Sequence, residues 1–152
     1  MLDVGSKAPD FALPDQNGNV HRLEDYRGQK VILYFYPADM SPGCTNQACS
    51  FRDLYPQIRE KGAVVLGVNA DTVEMHKRFE EEHGLPFILL SDPEKTMLRA
   101  YDVWKERLMF GRPTMGIERS TYLIDENGII TKAFSKVKPK DNAKQMLKEL
   151  NT

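Results

Sequence analysis

Apolar residues recur along this chain with two periods, and each period marks an element. The run Val31-Ile-Leu-Tyr-Phe-Tyr36 is uninterrupted and closed by Pro37, as suits a central strand covered on both faces. Beyond it, Ser41 offers an N-cap, Pro42 suits the first helical position, and Cys44 falls in the first turn. Phe51, Leu54, Tyr55 and Ile58 then recur at i, i+3, i+4 and i+7, one buried helical face that ends at Lys61-Gly62. Pro56 lies inside that pattern and is expected to kink the helix or split it near Asp53. Val64 to Val68 and Pro86 to Leu90 read as further strands. Between them, Asp71-Thr-Val-Glu74 resembles a capping box that opens a helix stopping at Gly84. Asp92-Pro93 should cap a short helix carrying Met97, Leu98 and Tyr101.

Two turns of the Asn-Gly kind complete the pattern. Phe11-Ala-Leu and Val20-His-Arg flank Asp15-Gln-Asn-Gly18, an N-terminal hairpin. Thr121 to Ile124 and Ile129 to Phe134 flank Glu126-Asn-Gly128, a second hairpin, before a closing helix with Ala143, Met146, Leu147 and Leu150 on one stripe. Strands alternating with helices and ending in a hairpin indicate an α/β domain around a central mixed sheet. The stretch from Asp102 to Glu118 fits neither period and reads as an irregular loop. Its Trp104, Leu108, Met109, Phe110 and Met115 suggest that it packs over something.

With 152 residues, 41% hydrophobic and 28% charged, the chain is expected to form a single domain spanning 1–152. A net charge of -1 removes the basic footprint of a nucleic-acid binder. The lysines at 132, 136, 138, 140, 144 and 148 read as a solvated face. No apolar run is long enough to span a bilayer, and the N-terminus lacks a secretory h-region, so the expectation is a cytoplasmic protein without membrane contact.

In a reducing cytosol the close pair Cys44 and Cys49 points to redox chemistry, catalysis or metal rather than to a structural staple. A thiol at a helix N-terminus has free N–H groups and the positive dipole end beside it, which favour the thiolate nucleophile. The bland alternative is a pair of small buried hydrophobes. Zinc is disfavoured, because C-x4-C supplies one pair at an unusual spacing and His21, His76 and His83 lie far from it in sequence. A thioredoxin-type dithiol would need C-x-x-C.

Pro37, Ser41 and Cys44 match the P-x3-(T/S)-x2-C signature of peroxiredoxins. The stretch YFYPADMSPGCTNQACSFRDL resembles their bacterioferritin comigratory protein (Q-type) branch, as do FALPDQNG, LLSD at 89–92 and GIERSTYLID at 116–125. Two positions depart from that pattern: Ser41 where threonine is commoner, and Ala38 where lysine is frequent. The resemblance implies a thioredoxin-like fold and a peroxidase that uses no cofactor and no metal. Cys44 would attack the peroxide, becoming a sulfenic acid. Cys49 would resolve it as an intramolecular disulfide, and thioredoxin or another dithiol would reduce that bond. Ser41 would hold the peroxide as well as cap the helix, and Pro37 would shield the thiolate. Arg119 would stabilise charge, with Arg112 the competitor in the irregular stretch, and Gln47 carries little weight. The three histidines show no site and read as surface or satisfied residues. The implied substrates are hydrogen peroxide and organic hydroperoxides, and the implied state is a monomer. The rival is a non-catalytic redox sensor built on the same disulfide.

That disulfide has a geometric consequence. Two cysteines five positions apart on one helix have Cα atoms about 8.7 Å apart and side chains about 140° apart around the axis. A disulfide needs about 4.4–6.8 Å. The first turns are therefore expected to unwind in each cycle, eased by Gly43 and confined by Pro56.

Overall fold

A computed structural model describes residues 1–152. The N-terminal hairpin forms as expected, from β1 (Ala12–Pro14) and β2 (Val20–Arg22), followed by a 3-10 turn over Leu23–Tyr26. Next come β3 (Lys30–Phe35), α1 (Pro42–Glu60), β4 (Ala63–Asn69), α2 (Val73–His83) and β5 (Ile88–Ser91). A short α3 (Thr96–Ala100) leads into β6 (Trp104–Met109) and β7 (Arg112–Ile117). The chain closes with β8 (Ser120–Ile124), β9 (Ile130–Ser135) and α4 (Asn142–Leu150).

The sheet has the order β5-β4-β3-β8-β9, parallel on the β4 and β5 side and antiparallel on the other. Its middle strand is the uninterrupted apolar run. Alternation along β3 sends Val31, Leu33 and Phe35 into one buried layer with Phe11, Leu98, Tyr101 and Tyr122. Ile32, Tyr34 and Tyr36 enter the opposite layer with Cys44, Phe51, Phe79 and Met146. A Cβ on Gly67 of β4 would lie 3.0 Å from the Tyr34 ring and hydroxyl and 3.0 Å from Leu89, so the ring crosses β4 only over a glycine.

Four expectations need correction. Residues 104–117 are not an irregular loop but an antiparallel ribbon, β6 with β7, closed by Phe110 at φ 54° and Gly111 at φ 78°. Rather than packing over the body, its apolar side chains Leu108, Met109, Phe110 and Met115 are exposed. Helix α1 runs unbroken through Pro56, because Phe51 and Ile58 are buried on either side and hold it across the one bond the ring removes. The cap of α2 is Thr72, whose hydroxyl accepts from Met75 N, while Asp71 turns away to another use. The N-cap position of α3 is Lys95, at φ 63°, rather than Asp92, which lies three residues before it and accepts from Leu98 N at 2.9 Å.

Candidate active site

Residues 36–44 carry the chain from the end of β3 into α1, and polar side chains fix both ends of that passage. On the loop side, Asp39 is buried and accepts from the Tyr36 hydroxyl at 2.6 Å and from Asn69 Nδ2 at 3.2 Å. Its backbone N–H donates to Asp71 Oδ2 at 2.7 Å. His76, fully buried on α2, meets Asp39 Oδ2 through Nδ1 at 2.5 Å and the Leu90 carbonyl through Nε2 at 2.9 Å. A carbonyl only accepts, so Nε2 carries a proton and the contact with Asp39 is made across a further one. These bonds hold Met40 at φ 67°, a conformation that a methionine rarely adopts.

Ser41 then caps α1 as expected: its Oγ accepts from Cys44 N at 3.4 Å and donates to the Ala38 carbonyl at 3.2 Å. Cys44 is buried in the first turn, Cys49 is half-buried in the next, and both are free thiols on one continuous helix. The condition for a geometric obstacle to their disulfide is thus met.

Arg119, on the residue before β8, reaches back across the helix start. Its Nη2 donates to Cys44 Sγ at 3.4 Å and its Nη1 to Gln47 Oε1 at 2.6 Å. Gly43 makes room for it, since a Cβ there would lie 3.3 Å from Arg119 Nη2. Gln47, given little weight from the sequence, is fully buried and passes the chain of bonds onward through Nε2 to Asn142 Oδ1 at 3.0 Å. Thr121 donates to the same oxygen at 2.8 Å. Helix α1, strand β8 and helix α4 are thereby joined behind the sulfur.

The other candidates separate cleanly. Arg112 belongs to the tip of the β6–β7 ribbon, so the guanidinium at the sulfur is that of Arg119. Pro37 is exposed and lines a recess of about 420 Å³ with Lys105, Arg107, Arg119 and Lys136, the opening nearest the guanidinium. His21 is satisfied by Asp15 and Tyr26 at 2.7 Å each, as expected, and no cluster of His, Cys, Asp or Glu is arranged to hold a metal ion. Burial, and after it the field of Cys44, raises the Tyr34 phenol well above its ordinary pKa. Its hydroxyl is buried without a hydrogen-bond partner.

The arrangement presents a sulfur with a guanidinium as counter-charge, at a helix start, beside a hydroxyl that can redirect its proton. That is the equipment for nucleophilic attack on a polar O–O bond. Comparison with known proteins agrees. The AhpC/TSA family model matches residues 4–133. Peroxiredoxin Bcp of Bacillus subtilis is 48% identical over 149 residues, 98% of this chain and 95% of that protein. The structure of Xylella fastidiosa PrxQ superposes with a TM-score of 0.94 at 34% identity, covering 99% of this chain and 96% of that one. Xanthomonas campestris bacterioferritin comigratory protein, studied as a trapped intermediate/ligand complex for its alkyl peroxide reduction activity, gives 0.92 at 36%, covering 98% of each.

Proposed function

The chain belongs to the AhpC/TSA family and is a thiol-dependent peroxidase, and from that premise we propose how its residues divide the reaction. Cys44 is the peroxidatic sulfur. Its thiolate attacks the terminal oxygen of ROOH, the S–O bond forms as the O–O bond breaks, and the product RO⁻ takes a proton to leave as water or alcohol. Arg119 offsets the negative charge carried first by the sulfur and then by the departing oxygen. The Ser41 hydroxyl, which donates to the Ala38 carbonyl, turns that proton to the peroxide and holds it in line. Pro37, at the mouth, contributes no N–H to compete for it.

Cys49 then attacks the Cys44 sulfenic acid; the disulfide forms and water leaves. A thiol reductant returns both sulfurs to the reduced state, and we assign that role to a dithiol protein of the thioredoxin kind, which leaves as its own disulfide. Every group in this account comes from one copy of the chain, so one copy is a complete catalytic unit. No helix is long and apolar enough to cross a membrane, and the cytoplasm is the compartment that suits a reductant-fed thiol.

The observation that carries the reading is the guanidinium 3.4 Å from a buried helix-start sulfur. A coupled assay with thioredoxin, its reductase and NADPH tests it. Wild type should turn over repeatedly, Cys44→Ser should consume no peroxide, and Cys49→Ser should react once and stop at the sulfenic acid. A Cys44→Ser protein that keeps its rate would overturn the assignment, and a wild type that oxidises only once would favour a sensor.

A further inference from the structure

Two surface features have no part in that chemistry, and they complement one another. The first is the ribbon. Its register sets Trp104 opposite Ile117, Glu106 opposite Met115 and Leu108 opposite Pro113, so alternation gathers these six on one face with a single charge among them. Exposure climbs outward along that face, from 3% at Ile117 through 48% at Met115 and 75% at Leu108 to 100% for Phe110 in the turn. Arg112 stands on the other face beside the tip, while Arg107 on that face folds back towards the body, its Nη1 donating to the Ile117 carbonyl at 3.4 Å. A core stripe thus runs out of the body into solvent, ending in a bare phenyl ring beside the Arg112 cation.

The second is a groove of about 520 Å³ between the N-terminal hairpin, the start of α2 and α3. Phe11, Leu13, Val73 and Met97 give it an apolar floor, and Asp10, Glu74 and Glu94 rim it with negative charge. No lysine or arginine lines it. Its volume suits a phenylalanine together with a leucine, and its rim has the sign opposite to Arg112 at the tip.

We propose that the β6–β7 tip docks into this groove on a second copy of the chain. End-on entry sets Phe110 and Leu108 on the floor and brings Arg112 to the acidic rim. Groove and ribbon flank the same short helix, the groove taking in Thr96 and Met97 while the ribbon departs a few residues beyond Ala100, so two copies can exchange tips reciprocally and close as a pair. Two insertions of this size make a contact at the small end for specific interfaces, so the pair is reversible.

Sedimentation of the full, reduced chain from micromolar to millimolar concentration tests the proposal. The mass should rise from one chain towards two. Phe110→Asp should weaken the association by about tenfold or more. Arg112→Glu and Glu94→Arg should each weaken it, and the chain carrying both should recover it. Peroxide reduction by dilute Phe110→Asp, unchanged because the ring touches nothing in a single copy, certifies its fold. A single-chain mass throughout, association indifferent to Phe110→Asp, or no recovery in the double variant would overturn the proposal. So would a Phe110-dependent capture by phosphatidylglycerol vesicles without self-association, which would make a lipid surface the occupant.

Discussion

The loop before Ser41 and the helix turns after it are neighbours in sequence and opposites in construction. The loop is tied through Asp39 by four polar side chains, Tyr36, Asn69, Asp71 and His76, and carries a left-handed methionine that only such ties sustain. The first two turns of α1 bury small side chains, Cys44 and Ala48, and one long-range polar chain, Arg119 to Gln47 to Asn142. Aromatic anchoring begins only at Phe51. The loop is built to stay and the helix start to leave, as two sulfurs on one helix require if they are to bond.

The comparison breaks most severely at His76. His76→Ala leaves the Asp39 carboxyl buried with a partner missing, and removing one member of such a pair costs about 3–5 kcal/mol. Urea unfolding should show that loss, and the peroxide step should slow as Ser41 loses its placement. On the helix side, Arg119→Met should slow the peroxide step by about a hundredfold, roughly 2.7 kcal/mol of transition-state stabilisation, with exchange against the reductant little changed. Stopped-flow oxidation monitored at low peroxide would read it.

Gln47→Ala sharpens the contrast. It removes the bonds to Arg119 and Asn142, worth about 1–3 kcal/mol together, from the segment we propose to unwind. Disulfide formation after sulfenylation should accelerate and sulfinic acid should accumulate less, both measurable by mass at timed quench. The smallest effect is at Tyr34. Tyr34→Phe deletes a buried hydroxyl without a partner and should gain up to about 1 kcal/mol at neutral pH. Burial first, and then Cys44, holds this phenol well above its ordinary value. A group raised in the folded state contributes fully below its unfolded pKa of about 10 and loses that contribution as pH rises through the folded value. Wild type should therefore lose stability more steeply than Tyr34→Phe above about pH 10.

The strands of the sheet, both Asn-Gly hairpins and the helix start at Cys44 were legible in the sequence, because period and turn chemistry are local signals. Pro37, Ser41 and Cys44 rested on a motif and Cys49 and Arg119 on the wider resemblance; Ser41, Cys44 and Arg119 meet at the start of α1, Cys49 lies one turn on, and Pro37 lines the recess beside Arg119. Gln47 with Asn142 and Asp39 with His76 were not legible. They are single polar contacts between residues 95 and 37 positions apart, and no period encodes them. The β6–β7 ribbon escaped because Glu106 interrupts its apolar alternation and its turn is Phe110-Gly111, without the Asn-Gly cue. Pro56 misled in the other direction, since burial of Phe51 and Ile58 outweighed its penalty.

The division between a fixed loop and a departing helix start is tested most directly by hydrogen exchange on the reduced protein and on the Cys44–Cys49 disulfide form, the bond confirmed by mass. Amides 44–52 should lose protection on oxidation, at about 1 kcal/mol for each helical bond given up, while β3, β4 and the amide of Asp39 keep theirs. Equal protection of amides 44–52 in the two forms would contradict the account.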